Sequence, residues 1–211
     1  MPQSTGLLVD RLNANLRRLP SWPLYIIGAL PFIWLVYLVL SSQLGPDPAK
    51  VLERSLGEWG LRFLLASLAV TPLRRLGLNL IKFRRALGLL CFFYIALHLT
   101  VWIWPDMGLR WTQIWADLVK RPYIFLGMGG FLCLSPLALT SSNWAIRGMG
   151  GQNWRRLHHL AYPALALGTL HFVILSRVWT LELVFYAFLA VLLLGLRLPI
   201  PFNRRAARRT P

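Results

Sequence analysis

The sequence predicts an all-α integral membrane protein with six transmembrane helices and both termini in the cytoplasm. Of its 211 residues, 56% are hydrophobic and only 14% are charged, whereas a soluble domain carries about a quarter charged residues. Six apolar runs are also present, and the length of each is close to that of a bilayer-spanning helix, which is about 20 residues. Every span is expected to be helical, because the open edge of a strand cannot be satisfied in lipid.

The predicted spans follow one another with short loops between them. They cover residues 22–42, 59–73, 86–104, 122–146, 157–176 and 178–196. The chain is thus divided into a cytoplasmic N-terminal segment (1–21), a transmembrane domain (22–196) and a basic cytoplasmic tail (197–211). In the longest loop, PDMGLRWTQIWADLVKRP, Trp111 and Trp115 are spaced i, i+4, which predicts an amphipathic turn on the outer surface.

The basic residues explain the orientation. A net charge of +16 is typical of nucleic-acid-binding proteins, but here the Lys and Arg residues stand in short segments between apolar runs. Sixteen of the 23 fall on the side that holds both termini, so this side is expected to be cytoplasmic. The two cysteines, Cys91 and Cys133, lie inside apolar runs and are interpreted as small buried hydrophobic residues.

Four histidines are the unusual feature of the spans. His98 lies in the third span, and His158, His159 and His171 lie in the fifth. An ionisable side chain in a span is costly and indicates a functional site, although a neutral imidazole that donates to a carbonyl or serine of the next helix is the alternative. A zinc site would use clustered Cys, Asp or Glu as well. Haem needs only one or two axial ligands and an apolar pocket, so bis-histidine b-type haem fits best.

The spacing of the histidines predicts two levels in the membrane. His158 and His171 are 13 residues apart, which is about 20 Å along a helix, so they cannot share one iron. The third and fifth spans run in the same direction, which places His98 at the depth of His171 and predicts an outer haem between them. On an ideal helix His158 and His171 would face about 140° apart, and Pro163 is expected to kink the helix between them.

The inner level is less defined. It offers only His158 or His159, so either a second haem has an unidentified sixth ligand or another cofactor lies there. The basic residues at this level are Arg84, Arg85, Arg155 and Arg156. They can pair with haem propionates or with a flavin phosphate, or they only set the topology. Arg62, in the second span, either holds a propionate of the outer haem or extends its charge to the membrane surface.

Several motifs carry a family resemblance. The segments RFLLASLAVTPLRRL, RRALGLLCFFYIALHLT and NWRRLHHLAYPALALGTLHF resemble those of the MsrQ (YedZ) family, which has the ferric-reductase-like transmembrane domain also found in NADPH oxidases. The resemblance covers essentially the whole chain. It implies that His98, His158 and His171 are the functional histidines. The oxidases carry a second histidine in the third span, and that position is Arg84 here.

The resemblance also implies a function. The family passes electrons from the quinone pool or a cytoplasmic flavin reductase through b-type haem, one or two, and FMN. The acceptor is a periplasmic molybdopterin-containing methionine sulfoxide reductase that repairs oxidised proteins. A location in the bacterial inner membrane is therefore expected, with no nucleic-acid partner. The chain contains no GxGxxG motif, so it is expected to need an outside electron donor and to have no substrate catalysis of its own. The alternatives are a histidine-relay proton channel or small transporter without haem, and a structural anchor without redox activity.

Overall fold

The computed structural model describes residues 3–197, with side chains from residue 9 onward. Except for Arg197, the predicted basic tail lies outside the described residues. Every regular element in this range is helical. The α-helices are α1 (Gln3–Arg18), α2 (Pro23–Leu40), α3 (Pro48–Arg75), α4 (Arg84–Val101), α5 (Trp111–Lys120), α6 (Pro122–Leu139), α7 (Asn143–Met149), α8 (Gly151–Leu157), α9 (Ala161–Leu175) and α10 (Leu181–Gly195).

Four helical segments are long and apolar enough to cross a membrane. They are Pro23–Leu40, Ile81–Asp106, Pro122–Leu139 and Gly151–Leu175. Helix α3 has 28 residues but carries several charges, and α10 is apolar but has only 15 residues. The second and sixth spans therefore stay predictions, as does the side of the membrane on which the termini lie.

Two spans end differently from the prediction. The fourth was expected to reach residue 146, but α6 ends at Leu139 and the short helix α7 begins after Ser142. The Ser142 side chain accepts a hydrogen bond from the backbone N–H of Ala145, 3.0 Å away, and so caps α7. The third span continues beyond α4 as a π-helical turn, Trp102–Asp106. Such turns widen a helix locally and often occur at functional sites.

The fifth span is interrupted just ahead of Pro163, the residue at which a kink was predicted. A 3₁₀ turn, His158–Leu160, joins α8 to α9. Pro163 lies in the first turn of α9, where it has no N–H to donate to the carbonyl of His159. The tighter 3₁₀ turn ahead of the proline changes the angle around the helix axis between residues at the two ends of this span, such as His158 and His171. The turn predicted in the longest loop is present as the helix α5, on which Trp111 and Trp115 are exposed; its location on the outer surface stays a prediction.

The core lies between two antiparallel helix pairs, α3 with α4 and α6 with α9. Leu64 and Leu68 of α3 pack with Leu134 of α6 and Leu165 of α9 in one buried cluster. Cys91 lies in the same cluster and is fully buried, which confirms its interpretation as a small hydrophobic residue. Cys133 is only half-buried, and both thiols are free.

Helix α2 is attached to α4 by a buried tyrosine. The Tyr94 hydroxyl donates to the carbonyl of Gly28 at 2.7 Å and accepts from the N–H of Phe32 at 3.0 Å. In a regular helix those two backbone groups would bond to each other. The hydroxyl is thus inserted into the hydrogen-bond ladder of α2, next to Pro31, and satisfies both groups inside an apolar interface.

The outer faces of the helices are apolar. Large side chains such as Ile26, Ile27, Leu30 and Ile33 of α2 are more than half exposed, as is Phe188 of α10. A soluble protein rarely exposes so much contiguous apolar surface. This exterior suits acyl chains, in agreement with the composition.

Candidate cofactor site

Two histidines that are 73 residues apart in the sequence meet inside the bundle. His98 lies near the end of α4 and His171 lies in α9. Their ring centroids are 6.1 Å apart and their planes are inclined by 77°. A metal ion between them would lie about 2 Å from each ligating nitrogen, and each nitrogen lies about 1 Å from the centroid of its ring. The two centroids would then be about 6 Å apart, with about 3 Å on each side of the metal ion. The spacing therefore suits two axial imidazoles on one metal ion.

Each ring is held by a backbone carbonyl of the neighbouring helix. His98 Nδ1 is 2.8 Å from the carbonyl oxygen of Glu53 in α3, and His171 Nδ1 is 2.6 Å from that of Tyr123 in α6. Because a carbonyl oxygen can only accept, Nδ1 carries the proton in both rings and donates it. The lone pair of the neutral ring is then on Nε2, which is the state in which imidazole binds a metal.

A cavity of about 600 Å³ surrounds the pair. Its wall includes apolar side chains from four helices: Leu64 of α3, Ile95 of α4, Phe131 of α6 and Phe172 of α9. This volume lies within the roughly 300–1,000 Å³ that is typical of cofactor and ligand pockets. The site thus combines a mainly apolar chamber with two imidazoles in the ligating state.

Charged side chains collect at the mouth of this cavity. They are Lys50, Glu53, Arg54, Glu58, Asp106, Arg121 and Arg177. Glu53 lies ahead of the predicted second span; burial raises the pKa of its carboxyl to about 7, and Asp106 adds to the increase. Arg54 is paired with Glu58 at 3.0 Å, Lys50 with Asp47 at 2.6 Å and Arg121 with Asp117 at 3.3 Å. Arg177 forms no ion pair within the described residues, so its charge is open to an acidic group on a ligand or partner.

Arg62, a predicted cofactor contact, lies in α3 but is not among the lining residues of this cavity. Its guanidinium donates to the Tyr186 hydroxyl at 2.7 Å and forms ion pairs with Glu182 at 2.6 Å and Glu58 at 3.5 Å. It also packs over the ring of Trp59. Since Tyr186 and Glu182 belong to α10, these contacts join α10 to α3. A propionate contact of Arg62 stays a prediction.

His158 lies at the opposite end of the fifth span, in the 3₁₀ turn. Its Nε2 is 3.3 Å from the Thr140 hydroxyl, which is itself 2.6 Å from the carbonyl of Pro136. Thr140 donates its only proton to that carbonyl, so the Nε2–H of His158 donates to Thr140. The Trp154 ring covers the imidazole at a centroid distance of 3.8 Å, and its N–H donates to the carbonyl of Thr140. His158 is thus clamped between α6 and α8.

The other predicted inner residues surround this end. His159 is exposed and packs against Tyr162 with a centroid distance of 5.7 Å. Arg84 is half-buried at the start of α4, whereas Arg85 and Arg155 are exposed. His171 lies beside His98, but His158 has no such partner. Within the described residues, the only histidine near His158 is its sequence neighbour His159. The part of the chain that the structure describes also contains no group of three His, Cys, Asp or Glu residues that could hold a metal ion.

Sequence reasoning missed the groups that orient the histidines. The carbonyls of Glu53 and Tyr123 leave no trace in the residue types, because every residue has a carbonyl. Thr140 and Trp154 were also missed, since nothing in their sequence positions links them to His158. One usable signal was present: Gly127 lies inside the predicted fourth span, where a glycine usually has a packing reason. Gly57 lies two residues ahead of the predicted second span, so only the structure places it inside a helix.

The fold and the histidine pair define a class of protein: a helical membrane domain of the ferric reductase type. Residues 55–169 match the family described as ferric reductase like transmembrane component. The chain is 50% identical over 181 residues to the protein-methionine-sulfoxide reductase heme-binding subunit MsrQ of Agrobacterium fabrum, covering 85% of this chain and 84% of the relative. The proteins of the same name from Brucella ovis and Brucella abortus are each 46% identical over 184 residues, which is 87% of this chain and 83% of theirs. The chain belongs to the MsrQ family.

Proposed function

We propose that this membrane protein carries electrons through a b-type haem held between His98 and His171. The acceptor would be a periplasmic molybdopterin-containing methionine sulfoxide reductase, and the donor quinol or a cytoplasmic flavin reductase. The observation that carries the proposal is the geometry of the two rings, 6.1 Å apart with both Nδ1 atoms bonded to carbonyls. The names of the relatives, heme-binding subunits of a protein-methionine-sulfoxide reductase, support haem as the cofactor and a methionine sulfoxide reductase as the partner.

The residues present fit this cofactor. A bound b-type haem would supply a one-electron iron couple. His98 and His171 would provide Nε2 as axial ligands, and Leu64 and Phe131 would exclude water from the chamber. Basic residues that line the cavity, such as Lys50, suit the propionates. The role of the protein is to hold the ligands, set their orientation and keep the pocket dry.

The proposed topology has six spans, α2, α3, α4, α6, α9 and α10, in the bacterial inner membrane. Both termini would be cytoplasmic, since most of the basic residues lie on their side. The His98–His171 pair would then lie near the periplasm, where the acceptor is. The contacts of Arg62 with Glu182 and Tyr186 support α10 as a sixth span, because they attach it to α3 within the bundle.

At the cytoplasmic end, the proposal includes a second cofactor near His158. FMN is favoured over a second haem, because Nε2 of His158 is already engaged by Thr140 and, within residues 3–197, no histidine faces it as His171 faces His98. Arg84, Arg85 and Arg155 lie at this end and suit a flavin phosphate. Electrons would pass from this level to the outer haem.

A histidine-relay proton channel explains the contacts less well. A relay passes protons between titratable side chains, but His98 and His171 each donate to a backbone carbonyl. The chain of hydrogen bonds from His158 also ends on a carbonyl, that of Pro136. Carbonyls do not pass a proton on, so these contacts fix the rings rather than connect them.

Electron transfer can be tested with the purified protein in proteoliposomes. Reduced quinol is added anaerobically, haem reduction is followed by absorbance, and the soluble reductase with methionine sulfoxide is then added. The proposal predicts rapid reoxidation that needs both the reductase and its substrate. His171→Ala should abolish the signal, whereas His159→Ala, at an exposed position, should retain it. A wild-type haem that the reductase and substrate do not reoxidise would contradict the assigned acceptor.

A further inference from the structure

His98 and His171 make the same local contact with two different helices. His98 Nδ1 bonds to the carbonyl of Glu53, and a Cβ added at Gly57 would lie 3.1 Å from that nitrogen. His171 Nδ1 bonds to the carbonyl of Tyr123, and a Cβ added at Gly127 would lie 2.9 Å from it. In both helices the accepting carbonyl and the glycine are four residues apart.

The i, i+4 spacing has a simple physical meaning. In an α-helix the carbonyl of residue i accepts from the N–H of residue i+4, and the Cβ of residue i+4 stands beside that bond. A glycine at i+4 leaves space for a second donor, and a carbonyl oxygen has two lone pairs to accept both. A glycine inside a helix lowers its stability by about 1 kcal/mol relative to alanine. Two such glycines, each in contact with an imidazole, therefore indicate that the space beside the helix is needed for the ring.

We infer that Gly57 and Gly127 are positioning residues for the two axial histidines. Each glycine lets an imidazole approach a helix closely enough for Nδ1–H to reach the carbonyl one turn earlier. The two contacts together fix the tautomer of both rings and their inclination of 77°. This inference rests on the proposed function, in which the rings are haem ligands.

Two measurable properties follow. The N–H···O=C bond makes a ligating imidazole more basic, which favours ferric iron and lowers the reduction potential. Nearly perpendicular axial rings also give low-spin ferric haem a strongly anisotropic electron paramagnetic resonance signal, whereas parallel rings give a narrower rhombic one. Both properties report the orientation and bonding of the rings rather than the rate of turnover.

The experiment compares Gly127→Ala and Gly57→Ala with a matched control, Gly129→Ala. The control lies two residues from Gly127 on the same helix, and its added Cβ would meet only the flexible end of Leu167, at 3.3 Å. Each full-length protein is purified in detergent. Haemin affinity, the ferric resonance spectrum and the midpoint potential are then measured.

For Gly127→Ala, haemin binding should weaken by about 10–100-fold, the anisotropy should decrease and the potential should rise. Gly57→Ala should change in the same direction but less, because its contact is longer. Gly129→Ala should match the wild type. If both test variants match Gly129→Ala in all three measurements, the inference is overturned, even though the haem proposal survives.

The wild type provides a test that does not depend on any variant folding. Its ferric spectrum should show the strongly anisotropic signal of nearly perpendicular ligands. A rhombic signal typical of parallel rings would contradict the inference while leaving two histidine ligands in place. A wild type that binds no haemin would overturn both the inference and the proposed function, so the two failures are distinguishable.

Discussion

His98 and His171 face one another at a centroid distance of 6.1 Å, and each is supplied by a different antiparallel helix pair. The α3–α4 pair carries His98 and the carbonyl that orients it. The α6–α9 pair does the same for His171. The distance between the rings is therefore set by the packing of one pair against the other. Changes at the centre of that packing should affect the site, whereas changes at either end of the bundle should affect stability or electron delivery separately.

The buried hydroxyl of Tyr94 should be important for stability. Tyr94→Phe leaves the carbonyl of Gly28 and the N–H of Phe32 without the hydroxyl that satisfies them. A cost of about 1–3 kcal/mol is expected, measured as a lower thermal unfolding midpoint in detergent. Tyr37→Phe, at an exposed position of α2, is the control and should have little effect. Equal midpoints for the two variants would contradict the role of the inserted hydroxyl.

The ion pair between Arg62 and Glu182 should stabilise the attachment of α10. In a double-mutant cycle with Arg62→Gln and Glu182→Gln, a coupling energy of about 1 kcal/mol is expected, because the pair is only partly shielded from solvent. Thermal unfolding is the measurement, and the haem spectrum should stay unchanged. Loss of haem in Arg62→Gln without loss of stability would instead support the predicted propionate contact.

His158 and its neighbour His159 provide a matched pair for the inner site. His158 is clamped by Trp154 and Thr140, whereas His159 is exposed. His158→Ala should leave the outer haem bands in place but slow haem reduction by the cytoplasmic or quinol donor at least tenfold. His159→Ala should reduce at the wild-type rate. If His158→Ala removes the outer haem bands, the two levels are not independent.

Charge at the mouth of the cavity should control delivery to the acceptor. Arg177 is exposed in the loop between α9 and α10 and lines the mouth. Arg177→Glu should slow electron transfer to the soluble reductase by about tenfold at low ionic strength, and added salt should reduce the difference. The haem spectrum should not change. Arg147→Glu, in α7 at the other end, should transfer electrons at the wild-type rate; an equal slowing in both variants would point to a general charge effect.

Much of the site could be predicted because it follows from counting residues along helices. The separation of His158 and His171, and the shared depth of His98 and His171, need only the rise per residue and the direction of each span. The structure brings His98 and His171 together as this arithmetic predicts. The family resemblance also pointed to these positions, and the relatives confirm the family.

The remaining features depend on contacts between helices, which leave weaker traces. The break between α6 and α7 is an exception, because the polar run Thr140–Asn143 interrupts the apolar sequence there and the predicted span was nevertheless continued across it. The insertion of Tyr94 into α2 depends on how two helices happen to face each other. The carbonyls of Glu53 and Tyr123 are invisible in residue types. Only the glycines four residues later could have indicated where an imidazole approaches.

Haem ligation by His98 and His171 is tested most directly by the reduced-minus-oxidised absorption spectrum of the detergent-purified protein, recorded beside His98→Ala and His171→Ala. Sharp b-type bands are expected in the wild type, and they should be lost together in both variants while the proteins remain folded. His159→Ala should keep the bands. A colourless wild type expressed with ample haem, or bands that survive in either variant at full intensity, would contradict the assignment of His98 and His171 as the axial pair.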